Sequence, residues 1–193
     1  MSRQDLENLQ GGRFRRRTKR KLAVFIDGIG LDRATKRLNR KVELSLLLKG
    51  VCEGLTPVLA KYYTLVPHED DARQFSFLDA VERGGLEPVV RHLPPKGVKR
   101  TVSIDVLLAT DLLTFAMAQD KDPNTTDTEN ADTVKKQAVI VCPSRDLIYA
   151  IDRAHSHGVE VSLADFGFYG NSDGWKGVDR WIDLSTSEII WRG

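Results

Sequence analysis

The segment KLAVFIDGIG, residues 21–30, contains an apolar run that ends at a carboxylate, Asp27, and is followed by two glycines, Gly28 and Gly30. A short run rich in β-branched and aromatic residues that ends at glycine is typical of a buried strand. We therefore predict a strand over residues 22–27 that carries Asp27 at its carboxyl end. Because glycine has no side chain, we expect open space around this carboxylate.

The rest of the chain alternates short apolar runs with amphipathic segments. The runs predict strands at residues 57–66, 86–93, 138–142 and 159–165, and the amphipathic segments predict helices at 41–52, 75–85, 103–118 and 144–158. Such alternation predicts an α/β fold, a three-layer α/β/α arrangement with a mostly parallel central sheet. In these sheets ligands bind beyond the carboxyl ends of the strands, where the strand order reverses. Asp27 is therefore expected at that edge.

The composition predicts one globular domain without a membrane segment. The 193 residues are 41% hydrophobic and 29% charged, which is ordinary for a domain of this size. No apolar run approaches the roughly 20 residues that cross a bilayer, and the first residues lack the apolar core of a secretory signal. Two cysteines, Cys52 and Cys142, fit a reduced protein, so we expect a cytoplasmic location.

Positive charge is concentrated before the first predicted strand. Residues 13–21 hold seven bases and no acid, whereas the rest of the chain carries 27 acids against 22 bases. We therefore divide the chain into a flexible basic arm, residues 1–21, and a single domain, residues 22–193. The arm, aided by a basic loop, is expected to bind a phosphate backbone; the alternative is a solvated flank that improves solubility. The candidate nucleic-acid-binding residues are Arg13, Arg15, Arg16, Arg17, Lys19, Arg20, Lys21, Lys96, Lys99 and Arg100.

Three aspartates follow predicted strands and could meet at one edge of the sheet. Asp27 ends the first strand, and Asp105 and Asp146 lie near the starts of two later helices. Carboxylates held close together suit Mg²⁺ or Mn²⁺, which would make phosphodiester hydrolysis the expected chemistry. The alternative is structural, because aspartate is also common in turns and at helix N-termini. Asp111 lies about 120° around the helix from Asp105, so these two need not share a site.

Three segments together resemble a known family. They are AVFIDGIGL (23–31), SIDVLLATDLL (103–113) and VIVCPSRDLIYAIDRAHSHGVEVSLAD (139–165). In this order they resemble NYN domains of the LabA/DUF88 group, members of the PIN-like nuclease superfamily, over about residues 22 to 184. The family reads FIDGxN, then Lys-Gly-Val-Asp-Val with a second Asp, then Ser-Gly-Asp-Ser-Asp-Phe.

The resemblance implies a PIN-like fold and divalent-metal-dependent cleavage, usually of RNA. Asp27 stands at the family's metal-binding aspartate, Asp105 and Asp111 match the second motif, and residues 142–147 match the third. The match has three departures. Gly30 replaces an asparagine, Ser144 replaces the first aspartate of the third motif, and residues 102–103 replace Lys-Gly. Losing one carboxylate weakens metal binding, although a serine hydroxyl can still bond a metal-bound water.

Three hypotheses follow from the sequence. In the first, a cytoplasmic ribonuclease, a phosphodiester hydrolase, holds Mg²⁺ or Mn²⁺ with Asp27, Asp105 and Asp146, supported by Asp111 and Ser144. RNA is favoured over DNA as the nucleic acid that it binds. If the protein forms an oligomer, a homodimer is expected. In the second, a degenerate PIN-like module binds nucleic acid or a partner protein without cleavage.

The third hypothesis is an interaction module whose partner surface is formed by aromatic residues near the C-terminus. The alternative for these residues is that they fill the core and cover the sheet edge, as large apolar side chains usually do. They are Phe166, Phe168, Tyr169, Trp175, Trp181 and Trp191.

Overall fold

The computed structural model describes residues 19–69, 72–119, 134–167, 175 and 177–192. The described residues form six strands and five α-helices. The strands are β1 (Lys19–Asp27), β2 (Leu59–Val66), β3 (Glu87–His92), β4 (Val134–Val141), β5 (Val159–Asp165) and β6 (Arg180–Asp183). The helices are α1 (Gly28–Leu38), α2 (Leu44–Cys52), α3 (Ala72–Arg83), α4 (Asp105–Met117) and α5 (Ile148–Ser156). Short 3-10 helices cover Arg145–Leu147 and Leu184–Thr186.

The six strands form one parallel sheet in the order β3-β2-β1-β4-β5-β6. The predicted three-layer α/β/α fold with a parallel sheet is confirmed. Strand order reverses between β1 and β4, because the chain first builds outward through β2 and β3 and then returns to the other side of β1. The carboxyl ends of β1 and β4 therefore flank the crevice in which such sheets bind ligands.

The two faces of β1 support two separate cores. Successive side chains of a strand point to opposite faces. Leu22, Val24 and Ile26 pack in a core with buried residues of α1, α2 and α3. Ala23 and Phe25 pack in the other core, with residues of α4 and α5. These layers fix β1 in the centre of the sheet, and so they fix the position of Asp27 at its end.

Strand pairing extends two strands beyond their predicted starts. β1 begins at Lys19, three residues before the predicted domain boundary, and β4 begins at Val134, four residues before its predicted start. The two extensions pair with each other, from Lys19 with Val134 to Lys21 with Lys136. This pairing joins segments that are distant in sequence through backbone hydrogen bonds, which do not require apolar side chains. Both strands therefore include polar residues that a search for apolar runs does not assign to a strand.

Helix α1 is absent from the sequence prediction. Its first turn contains Gly28 and Gly30, which have low helix propensity, and its second half is strongly basic. The helix forms because Asp27 caps it and because Leu31 and Ala34 bury one face. Pro88 lies on edge strand β3, where a residue without a backbone N–H is tolerated. No helix among the described residues has the length and apolarity to cross a membrane.

Candidate functional site

Asp27 is a buried carboxylate that caps a helix. Its side chain is 4% exposed. Strand β1 ends here in extended geometry, and Oδ1 of Asp27 accepts hydrogen bonds from the amides of Ile29 at 3.0 Å and Gly30 at 2.8 Å. These bonds satisfy amides that the first turn of α1 would otherwise leave unpaired. Asp27 therefore caps a helix that the sequence analysis did not predict, and the two amides also hold the carboxylate in a fixed position.

The surroundings of Asp27 disfavour its charged form. Burial raises the pKa of Asp27, and the charge of Asp105 raises it further. The hydrogen bonds from Gly30 and Ile29 and the nearby charge of Arg33 act in the opposite direction, and the pKa remains above its ordinary value. A carboxylate in this environment gains stability from an added cation, because the cation offsets both the burial and the neighbouring negative charge.

The two glycines after Asp27 permit close packing rather than open space. A Cβ on Gly28 would lie 2.4 Å from the ring of Tyr62 and 2.6 Å from the carbonyl oxygen of Tyr63. A Cβ on Gly30 would lie 2.2 Å from the carbonyl oxygen of Cys142. The expected clearance is therefore wrong: neighbouring chain fills these positions, and the asparagine of the NYN motif does not fit at position 30 on this backbone.

A cavity of about 710 Å³ lies at the carboxyl edge of the sheet, where β1 and β4 end. Its volume falls within the range of about 300–1,000 Å³ that is usual for ligand sites. Its polar lining combines acidic groups with arginines and two serines: Asp27, Asp105, Asp146, Asp165, Arg33, Arg37, Arg145, Ser103 and Ser144. Asp27 is buried, whereas the three arginines are exposed. The cavity thus has a buried carboxylate, and its exposed lining combines three arginines with Asp146.

The three predicted aspartates all line this cavity, but they differ in their environments. The carboxylate of Asp105 accepts a short hydrogen bond from the Ser103 hydroxyl. Asp146 is exposed, and its backbone amide donates to Ser144 Oγ at 3.2 Å. Ser144 therefore caps the 3-10 helix that carries Asp146. Among the residues that the structure describes, no group of three or more His, Cys, Asp or Glu is arranged to hold a metal ion. Of the three predicted aspartates, Asp27 and Asp105 interact through their charges, since the charge of Asp105 raises the pKa of Asp27.

Asp165 is a cavity residue that the sequence interpretation missed. It ends β5, lines the cavity and accepts a hydrogen bond from the amide of Phe166 at 2.7 Å. Burial raises the pKa of Asp165. The Cys142 thiol donates to it, and burial raises the pKa of that thiol as well. A signal was present, because Asp165 ends a predicted strand as Asp27 does.

Asp111, the predicted supporting residue, does not line the cavity and contacts β2 instead. Its Oδ2 atom accepts hydrogen bonds from Tyr63 Oη at 2.8 Å and from Lys61 Nζ at 3.0 Å. Tyr63 and Lys61 are residues of β2, and Tyr63 is fully buried. Asp111 therefore joins α4 to the sheet.

Replacing Asp111 by alanine is expected to destabilise the protein without impairing the cavity. The change leaves the buried Tyr63 hydroxyl without its acceptor, which costs about 1–3 kcal/mol. Urea unfolding measures that loss, and any activity of the cavity, expressed per folded molecule, should stay at the wild-type value. Reduced activity at unchanged stability would instead return Asp111 to the site.

The predicted basic residues that the structure describes do not line the cavity. Arg13, Arg15, Arg16 and Arg17 fall outside the described residues. Lys19, Arg20 and Lys21 form the first residues of β1, so at about 3.3 Å per residue Lys19 is roughly 26 Å from Asp27 along the strand. Arg20 is paired in register with Lys135 of β4, so basic residues of both strands adjoin at the amino edge of the sheet.

The basic loop contributes to the cavity only through the residues that follow it. Lys96, Lys99 and Arg100 are exposed, and none of them lines the cavity. Val102 and Ser103, which come next, do line it. The cations at the cavity are Arg33, Arg37 and Arg145. Sequence reasoning missed them because two lie on the unpredicted helix α1 and because isolated arginines form no charge run.

The C-terminal aromatic residues divide between core and cavity. Phe166 and Trp191 are buried and pack against each other with ring centroids 5.5 Å apart, so the predicted partner surface is wrong for these two. Trp175 and Trp181 are partly buried and line the cavity. Phe168 and Tyr169 lie outside the described residues.

Comparison with known proteins supports the fold. No family model matches the chain, and no curated protein matches it in sequence. The structure is similar to the crystal structure of a protein of unknown function from Vibrio parahaemolyticus, with a TM-score of 0.68 and 14% sequence identity. The match covers 90% of this chain and 97% of that chain. Fold and cavity thus define an α/β/α protein with a cavity, lined by four aspartates, at the switch point of a parallel sheet.

Proposed function

We propose that this protein is a divalent-metal-dependent nuclease that hydrolyses phosphodiester bonds of RNA in the cavity at the end of β1. The observation that carries the proposal is the buried Asp27 beside Asp105 in a cavity that exposed arginines surround. The resemblance of the three sequence motifs to NYN domains of the PIN-like superfamily supports the same activity. We also propose a cytoplasmic location. The two cysteines of the protein, Cys52 and Cys142, are free, which is consistent with a reducing compartment.

The donor set fits Mg²⁺ or Mn²⁺ bound through two carboxylates. Mg²⁺ commonly takes one or two protein carboxylates and completes its shell with water and substrate phosphate, so a closed three-residue group is not required. Asp27 and Asp105 would hold the ion, and Asp146 and Asp165 would bond its water ligands. Bound there, the ion would lower the pKa of a coordinated water and stabilise the negative charge that develops on the phosphate.

The protein's own residues position and neutralise the substrate. Two backbone amides fix Asp27, so its carboxylate is oriented before any ligand arrives. Arg33 and Arg145 stand at the cavity mouth, where a guanidinium can form paired hydrogen bonds with phosphate oxygens. Basic residues at the amino edge of the sheet bind the backbone elsewhere. An RNA strand that contacts both regions must extend over roughly 26 Å, the length of β1.

We expect the full chain to cleave a single-stranded RNA oligonucleotide in the presence of Mn²⁺ or Mg²⁺. Adding EDTA should stop this cleavage. Gel analysis of end-labelled RNA measures the rate, and DNA of the same sequence measures the preference for RNA. The Asp105→Asn variant, purified in parallel, reports contaminating nuclease and should be inactive. Equal cleavage by both proteins, or cleavage that persists in EDTA, contradicts the proposal.

A second candidate, nucleic-acid binding without cleavage, is favoured by two observations. No three-residue metal group exists in the described part of the chain, and Ser144 stands where the NYN motif has a carboxylate. This candidate predicts binding that weakens with salt, remains in EDTA and leaves the RNA intact under every metal condition. The chelation experiment therefore separates the two candidates.

A further inference from the structure

Three planar side chains, those of Arg145, Trp175 and Trp181, line the cavity. Trp175 and Trp181 line the cavity and are only partly buried. The guanidinium carbon of Arg145 lies 4.9 Å from the centroid of the Trp175 ring. Arg145 directly precedes Asp146, and Trp181 belongs to β6, next to the strand that ends at Asp165. The planar side chains therefore line the same cavity as the acidic groups.

These planar side chains have the chemistry of a base-stacking surface. Proteins hold unpaired bases by stacking them on aromatic rings or on arginine planes, and such stacking tolerates any base. The Arg145 guanidinium, itself planar, lies over the Trp175 ring, so the two planar groups are adjacent in the cavity. Arg33, at the mouth of the same cavity, offers hydrogen bonds to phosphate. A nucleotide has both a flat base and an anionic phosphate, and few other common ligands combine the two.

We infer that Trp175, Arg145 and Trp181 form a subsite for the base of an unpaired nucleotide, whose phosphate lies toward Arg33. The inference rests on the proposed function for the chemical class of the ligand, and it adds how the substrate is recognised. A base inside a duplex is stacked on both faces and cannot enter the subsite. The cavity therefore selects single strands by stacking, without reading their sequence.

Binding in EDTA tests the subsite separately from cleavage. The ligands are a short oligouridylate and an abasic oligonucleotide of the same length, which has the phosphates but no bases. Fluorescence anisotropy gives Kd for each, and free uridine monophosphate shows whether a single nucleotide suffices. We expect the wild-type chain to bind the oligouridylate more tightly than the abasic strand, by roughly 5- to 150-fold for one stacked base.

The Trp175→Ala variant should lose this preference. Its Kd for the oligouridylate should rise to the abasic value, its Kd for the abasic strand should stay unchanged, and Trp175→Phe should keep part of the preference. Trp191→Phe is the matched control, because Trp191 packs against Phe166 in the other core. Circular dichroism confirms that each variant is folded.

Three outcomes would overturn the inference. They are equal binding of the two ligands by wild type, an equal loss of affinity for both ligands in folded Trp175→Ala, and no binding of either ligand. The proposed hydrolysis is judged independently by the chelation experiment. A base preference in EDTA without cleavage in Mn²⁺ would overturn the hydrolysis and keep the subsite.

Discussion

Replacing Asp27 by asparagine is expected to abolish divalent-dependent cleavage and, at the same time, to raise the melting temperature of the protein. Loss of an electrostatic group at a reacting centre commonly lowers kcat by about 10²–10³-fold. Asparagine keeps a side-chain oxygen that can accept from the amides of Ile29 and Gly30, so helix α1 keeps its cap. The substitution removes the charge that burial and Asp105 disfavour. Stabilising changes of this kind contribute about 0.5–2 kcal/mol.

The stabilisation should depend on pH in a defined direction. Because the pKa of Asp27 is raised in the folded state, its neutral form favours folding below the unfolded pKa. That contribution is lost as pH rises through the raised folded pKa. The melting temperatures of wild type and Asp27→Asn should therefore converge in acid and separate as pH rises through this range. Added Mn²⁺ should raise the melting temperature of wild type more than that of the variant.

Calorimetry across pH, with and without Mn²⁺, measures this pattern, and the RNA gel assay measures the activity. Asp32→Asn is the matched control, because Asp32 lies on the same helix, is exposed and pairs with Lys36 at 2.7 Å. It should leave both quantities near wild type. A lower melting temperature for Asp27→Asn at neutral pH, or wild-type cleavage by that variant, would show that Asp27 serves only as a helix cap.

Local patterns predict the strands well, because each predicted strand is a short, mostly apolar run in the sequence. Leu22, Val24 and Ile26 alternate with Ala23 and Phe25 in a segment buried on both faces, and this apolarity is visible in the sequence. The extensions of β1 to Lys19 and of β4 to Val134 depend on pairing between distant segments. All of these residues except Val134 are polar, so no local pattern reveals them.

The sequence predicts those residues of the candidate site that lie at strand ends. It does not predict residues whose position depends on the packing of distant segments. Asp27 follows from its strand, and Asp165 could have been found by the same argument. Asp111 was placed at the site by resemblance, yet Lys61 and Tyr63 hold it against the sheet. Helical spacing from Asp105 already indicated a different face. A motif match gives the types of residues and their order in the sequence. It does not show which neighbours neutralise a charged side chain in the folded protein.

Replacing Gly30 by alanine is expected to destabilise the protein and to disturb Asp27. The new Cβ would lie 2.2 Å from the carbonyl oxygen of Cys142 and 3.3 Å from Cγ of Asp27. The first contact is with backbone, which cannot move aside as a flexible side chain does. Overpacking of this kind costs about 1–3 kcal/mol and occasionally more. In a chain of this length each kcal/mol lowers the melting temperature by about 2–4 °C.

Gly50→Ala provides the matched control for this substitution. Gly50 lies in helix α2, and a Cβ there would lie 3.6 Å from Cγ2 of Ile190, an ordinary van der Waals distance. Because alanine favours helix over glycine, this variant should gain up to about 1 kcal/mol of stability. Gly30→Asn, which restores the residue of the NYN motif, should lose at least as much stability as Gly30→Ala and gain no activity. If thermal unfolding showed Gly30→Asn to be as stable as wild type, the backbone of Cys142 would have to yield, and position 30 would be open to a polar ligand of the metal site.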